Sequence, residues 1–176
     1  MQAVLFLLNA VGSFFCTLFL LRFIMQAMRV SFGGQIGGFV MALTDWAVKP
    51  LRRIVPGIGG FDWASLLPAL LLQLLLSGAV VFLLRGNIED SAGLAIALFA
   101  LALRSLLRLT VYIFIGALIL LAVLSWVNPY SPLAAPAHQL TRPLLDPIRR
   151  IVPLISGIDL SPLIAILLLQ AVLMFL

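Results

Sequence analysis

The chain has 176 residues, of which 64% are hydrophobic and only 10% charged, with a net charge of +5. A soluble globular domain is about 25% charged and at most about half apolar, so composition excludes a water-soluble enzyme or binding domain. The basic residues sit beside apolar stretches without aromatic-basic interleaving, which excludes a nucleic-acid surface and points to orientation in a membrane.

The first apolar stretch runs from Ala3 to Leu21, with Asn9 its only strongly polar interruption, and ends at Arg22. No Lys or Arg precedes Arg22 and the run exceeds the core of a signal peptide, so it reads as a retained transmembrane helix. Cys16 lies mid-span and has no second cysteine to pair with, which makes it a small packing residue. Arg22, nearly inside the span, has two readings: a side chain that snorkels to the interface, or an intramembrane functional group.

Phe39, Leu43, Trp46 and Ala47 recur at helical spacing, which predicts a short amphipathic helix over 39–49 with Trp46 at headgroup level. Pro50 and Pro56 then bracket Arg52 and Arg53, and predict a bent, stiff segment carrying the two cations. Gly57, Gly59 and Gly60 allow tight turns. Asp62 follows as a helix N-cap, or as half of a cation site shared with Asp159. Ala64 to Leu84 is the second uncharged span and contains Gln73, a helix-packing residue or part of a polar pathway.

Ser91 to Leu103 is uncharged but only thirteen residues long, which suits an interfacial or re-entrant helix better than a crossing. Leu109 to Val127 is the third span and Leu160 to Leu176 the fourth, with Gln170 inside it. His138, in a proline-rich loop without clustered ligands, is an ordinary residue.

An internal repeat organises these elements. Leu43–Gln73 and Leu140–Gln170 align at a constant offset of 97 without a gap, with sixteen of 31 positions identical. Eight matches are not apolar: Thr44/Thr141, Pro50/Pro147, Arg52/Arg149, Arg53/Arg150, Pro56/Pro153, Gly60/Gly157, Asp62/Asp159 and Gln73/Gln170. In the second copy Ser161 precedes Pro162, a start signal for the last helix. The expected fold is an all-α membrane protein: four transmembrane helices in two parallel repeats, with short interfacial or re-entrant helices. Residues 1–87 form the first repeat, 88–108 a connector and 109–176 the second. Two spans per repeat relate the copies by an axis along the membrane normal. Four crossings put seven Lys and Arg on the side of the repeated loops against three opposite, which predicts cytoplasmic loops and both termini outside.

The four arginines also have two readings. They fix topology and touch anionic headgroups, or they converge across the pseudo-twofold axis to grip a phosphate, an acidic partner or an anionic lipid. No HExxH, G-x-S-x-G, P-loop or CxxC occurs, and GIGG has the wrong spacing for a dinucleotide loop, so no enzyme activity, metal or cofactor is expected.

The twice-occurring P-[LI]-RR-I-V-P element, followed by a glycine and then Asp at the mouth of an apolar helix, resembles the YggT family of small bacterial and plastid membrane proteins. The second copy departs from the first with Leu154 and Ser156 in place of Gly57 and Gly59. The resemblance implies a bacterial inner-membrane location. It also implies roles of the kinds linked to that family: osmotic-stress survival, potassium uptake, cell division and, in plastids, cytochrome maturation and nucleoid distribution. It carries over no catalytic residue. Two functions follow as expectations. One is a non-enzymatic assembly or scaffold factor whose arginine loops bind lipid headgroups or partner proteins. The other is a small oligomeric ion channel or transport subunit. The expected partners are the bilayer with its anionic lipids, and either a second copy or another membrane protein.

Overall fold

A computed structural model describes residues 2–55, 57, 59–85, 91–152 and 159–176. Among them the protein is all-α, with six helices and no β-strand: α1 (Gln2–Ala27), α2 (Gln35–Ile54), α3 (Trp63–Arg85), α4 (Ser91–Val127), α5 (Ala134–Ile151) and α6 (Ser161–Phe175). Helices α1, α3 and α4 are long and apolar enough to cross a membrane, and their outward side chains, such as Phe6, Leu75, Phe82 and Ile96, are exposed apolar groups suited to lipid. Helix α6 is equally apolar but has 15 residues, about 23 Å, against about 30 Å of hydrocarbon.

Helix α1 ends in a tight left-handed turn. Arg29 has φ 55°, its amide donates to the Gln26 carbonyl and the Val30 amide to that of Met25, while Val30 packs in the same buried cluster as Met25. This hydrogen-bond pattern satisfies the last carbonyls of the helix and usually places glycine where Arg29 stands. The chain then turns into α2, which begins so close to the preceding turn that a Cβ on Gly37 would collide with the backbone of Phe32.

Both amphipathic helices stop at the same place in the repeat. Val55 (φ −112°, ψ 100°) and Val152 (φ −103°, ψ 108°) are extended, and their amides close the last turn onto Leu51 and Ile148. Each valine precedes a proline, whose ring disfavours helical backbone in the residue before it. The expected proline-bracketed bend therefore takes another form. Pro50 and Pro147 lie inside α2 and α5, and the arginine pairs occupy the last helical turns. Pro56, Pro153 and Gly157 fall outside the described residues.

The buried face of α2 also differs from the expected stripe. Gly37, Val40, Thr44 and Val48 face inward, whereas Phe39 and Trp46 are 55% and 69% exposed. The helix has apolar side chains on two sides; the inward side packs on α1 and α3, and the other remains available to lipid.

The segment expected as a separate short helix is the beginning of α4. That helix runs unbroken through Arg104 and Arg108 for 37 residues, about 55 Å. Charge had separated residues 91–103 from 109–127, but two arginines do not interrupt backbone hydrogen bonding and are good helix formers. Helix α4 joins the halves: Leu106 packs with Cys16, Phe19 and Ala69 of the first repeat, and Leu118 with Leu145 and Ala165 of the second. Within the first repeat α1 packs extensively on α3, where Gly12 lets the side chain of Leu76 lie directly against the α1 backbone.

Candidate functional site: a repeated arginine clamp

In each repeat the first arginine of the pair folds back onto the aspartate ten residues later. Arg52 Nε lies 3.3 and 3.2 Å from the two carboxylate oxygens of Asp62, and its Nη2 donates to Asp62 Oδ2 and, at 3.1 Å, to Gln26 Oε1. Asp62 also accepts from Ser65 Oγ at 2.6 Å, while its own carbonyl accepts the Ser65 amide at the start of α3. In the second repeat Arg149 approaches Asp159 Oδ2 through Nε at 2.9 Å and Nη2 at 2.7 Å, and Asp159 Oδ1 accepts the Ser161 amide that opens α6. The Asp159 carboxylate meets a backbone amide at the start of α6, as a capping acid does, whereas the Asp62 carboxylate takes side-chain donors and only its backbone carbonyl meets the Ser65 amide; both carboxylates fasten the last turn of the preceding amphipathic helix. Each carboxylate faces an arginine of its own repeat.

The two clamps differ in depth. Asp62 is 4% exposed, whereas Asp159 is 30% exposed beside an Arg149 at 36%. Burial pushes the Asp62 carboxyl upward, but hydrogen bonds from Arg52 and Ser65 outweigh it and hold the acid below its ordinary value. Asp159 balances the same way: burial raises it, and Ser161 with Arg149 brings it lower. Arg52 in turn is pushed upward by its hydrogen bonds to Asp62.

The second arginine of each pair is left over. Arg53 and Arg150 are exposed at the ends of α2 and α5 and pair with no acid among the described residues. Helix α2 packs on α1 and α3, and α5 on α4 and α6, so each arginine pair is held by its own repeat.

Arg22 does not snorkel. It is 3% exposed, and its Nη1 donates to Thr44 Oγ1 at 2.7 Å and to Asp45 Oδ1 at 2.8 Å. Lys49 Nζ lies 2.8 Å from the other Asp45 oxygen. Hydrogen bonds first from Lys49 and then from Arg22 hold the Asp45 carboxyl low. At an offset of 97, Ile119 replaces Arg22, Arg142 replaces Asp45 and Asp146 replaces Lys49. The second repeat thus loses the buried cation together with the acid facing it, and keeps a reversed surface pair, Arg142–Asp146 at 3.2 Å. That exchange was visible in the alignment and is the signal by which sequence reasoning could have found Asp45.

The repeated glutamines are not equivalent. Gln73 is buried, with Oε1 unpartnered among the described residues, whereas Gln170 is exposed on α6. Gly60 has φ 81°, as a turn before Asp62 requires. Cys16 is buried and directs its thiol to the Ala69 carbonyl at 3.3 Å, as a packing residue does.

Comparison with known proteins places this arrangement. The CCB3/YggT family profile matches residues 1–83 and 100–176, nearly the whole chain. The chain belongs to the CCB3/YggT family. Among its relatives is YggT of Escherichia coli K12, 36% identical over 177 residues that cover 98% of this chain and 88% of that protein. An uncharacterized protein of Pseudomonas aeruginosa is 36% identical over 172 residues, covering 97% and 86% of the two chains. Another from Vibrio alginolyticus, encoded in a region 3′ of proC, is 34% identical over 171 residues, covering 97% and 91%. No solved structure matches. The YggT match leaves out residues 84–99, which include the first turns of α4.

Proposed function

We propose that this YggT-family membrane protein is a non-enzymatic scaffold of the bacterial inner membrane. Its two clamped helices α2 and α5 lie at the cytoplasmic surface and present Arg53 and Arg150 to anionic headgroups or to acidic partner proteins. The observation that carries this reading is the division of labour repeated in both halves. One arginine is spent on an internal aspartate, and its neighbour is left exposed at the end of a helix that also exposes apolar side chains. A cation at the C-terminal end of an interfacial helix suits both the helix dipole and an anionic leaflet. Native mass spectrometry of protein from mixed bilayers tests it. R53Q/R150Q should lose most retained phosphatidylglycerol and cardiolipin at unchanged fold, and unchanged retention would overturn the headgroup role.

The transport reading draws on two buried polar atoms of the first repeat without partners among the described residues, Arg22 Nε and Gln73 Oε1. Potassium flux into proteoliposomes discriminates. The scaffold reading expects none from well-folded protein, whereas flux that falls when Gln73 becomes Leu would establish a polar pathway instead.

A further inference from the structure

Helix α4 poses a problem that the chain does not solve by itself. It is about 55 Å long, roughly twice what a hydrocarbon core of about 30 Å accommodates along its normal. Residues 93–103 and 109–127 are both uncharged and apolar, and Arg104 and Arg108 stand between them. At any depth of the helix, something is then out of place: a greasy segment in water, or two guanidinium groups in lipid.

Packing constrains the depth. Leu106, between the two arginines, is buried in one cluster with Cys16, Phe19 and Leu20 of α1, Ala64 and Ala69 of α3 and Val48 of α2, which sets it in the half of the α1 and α3 spans nearer α2. Toward the other end of α4, Leu118 and Leu121 pack with Leu145 and Ile148 of α5 and with Ala165, Ile166 and Leu169 of α6. Arg104 and Arg108 lie within about 3 Å of Leu106 along the helix axis, at span depth.

They point outward there. Both are exposed, four residues apart on one face that continues to the exposed Tyr112, with exposed Leu101, Leu103 and Leu107 around them. Neither forms an ion pair among the described residues. Charged groups at this depth face a partner rather than lipid. Of the six acids in the chain, Asp45, Asp62, Asp146 and Asp159 are each paired with a cation of their own chain, and Glu89 and Asp90 lie outside the described residues.

We propose that the Arg104–Arg108–Tyr112 face of α4 docks a transmembrane helix of another protein that carries carboxylates at matching depth. The two guanidinium forks would bind acids spaced one helical turn apart, and the Tyr112 hydroxyl would add a hydrogen bond. This surface is independent of the headgroup role proposed for Arg53 and Arg150, so either can fail alone.

The test uses a donor-labelled synthetic Leu/Ala transmembrane helix with two Glu four residues apart at its centre, and the same helix with Gln. Each is mixed with acceptor-labelled protein in phosphatidylcholine vesicles. The Glu helix should associate roughly tenfold more tightly than the Gln helix, as two interhelical polar contacts allow, and R104Q/R108Q should abolish the preference. Equal association of the two helices, or a preference that survives R104Q/R108Q, would overturn the proposal. So would loss of the preference on adding phosphatidylglycerol, which would assign the face to lipid phosphate. A nitroxide at L107C supplies a second check: a depth inside the hydrocarbon is expected, and a headgroup depth would refute the placement.

Discussion

Arg22 and Asp45 show how a single buried charge shapes its surroundings. Arg22 has two polar neighbours, Thr44 and Asp45, and a buried Nε without a partner among the described residues, whereas Asp45 keeps Lys49 if Arg22 is lost. Removing the acid is therefore the more damaging change. D45N should cost about 3 kcal/mol by stranding a buried cation, R22M should cost clearly less, and thermal unfolding in detergent ranks them. The triple variant R22I/D45R/K49D copies the arrangement of the second repeat and should recover most of what D45N loses.

Asp62 carries a pH signature. Its carboxyl is held below the ordinary value when folded, so its contribution is complete above the unfolded value of about 3.9 and is lost as pH falls through the lower folded value. The stability gap between wild type and D62N should stay flat from pH 8 to about 5 and close below about 4. A gap that instead closed between pH 6 and 8 would contradict the assignment.

At the scale of helices, the repeat was legible because Thr, Pro, Arg, Gly, Asp and Gln do not recur by chance at one fixed offset in a chain this rich in Leu, Ile and Val. The helix ends were not legible: apolar spacing stops the first amphipathic helix at Lys49, whereas α2 and α5 run on through Pro50 and Pro147 and stop just before Val55 and Val152, each of which precedes a proline. The rest of what stayed hidden was tertiary. The clamp partners are ten residues apart with a helix end and a turn between them, and no local periodicity joins them. The inward face of α2 is set by Arg22 drawing Thr44 and Asp45 toward α1, which a count of apolar residues does not register. Hydropathy divides α4 at Arg104 and Arg108 because it weighs charge, whereas backbone continuity depends on propensity, which arginine satisfies.

Packing of α1 on α3 makes its own prediction. A Cβ on Gly12 would stand 2.7 Å from both terminal methyl carbons of Leu76. G12V should destabilise by about 1–2 kcal/mol, and L76A in the same chain should relieve part of that cost, as a double-mutant cycle of melting temperatures would show.

Across the whole molecule, two similar halves share one long helix, and similarity does not extend to depth or charge. The first repeat buries the acid of its clamp, Asp62, and the cation of a second ion pair, Arg22; the second repeat leaves Asp159 partly exposed and moves its other charges to the surface. If both halves lie parallel, the ends of α2 and α5 face the same compartment. R53C and R150C should then both react with a membrane-impermeant maleimide in inside-out vesicles and resist it in right-side-out ones.

The most direct test is the apparent Tm, in detergent free of anionic lipid, of R52Q/R149Q beside R53Q/R150Q. A lowered Tm in the first variant with a wild-type value in the second is the expected result, with R52Q alone costing more than R149Q because Asp62 is the deeper acid. Equal Tm values for the two double variants would contradict the division of each arginine pair into a structural and a docking member.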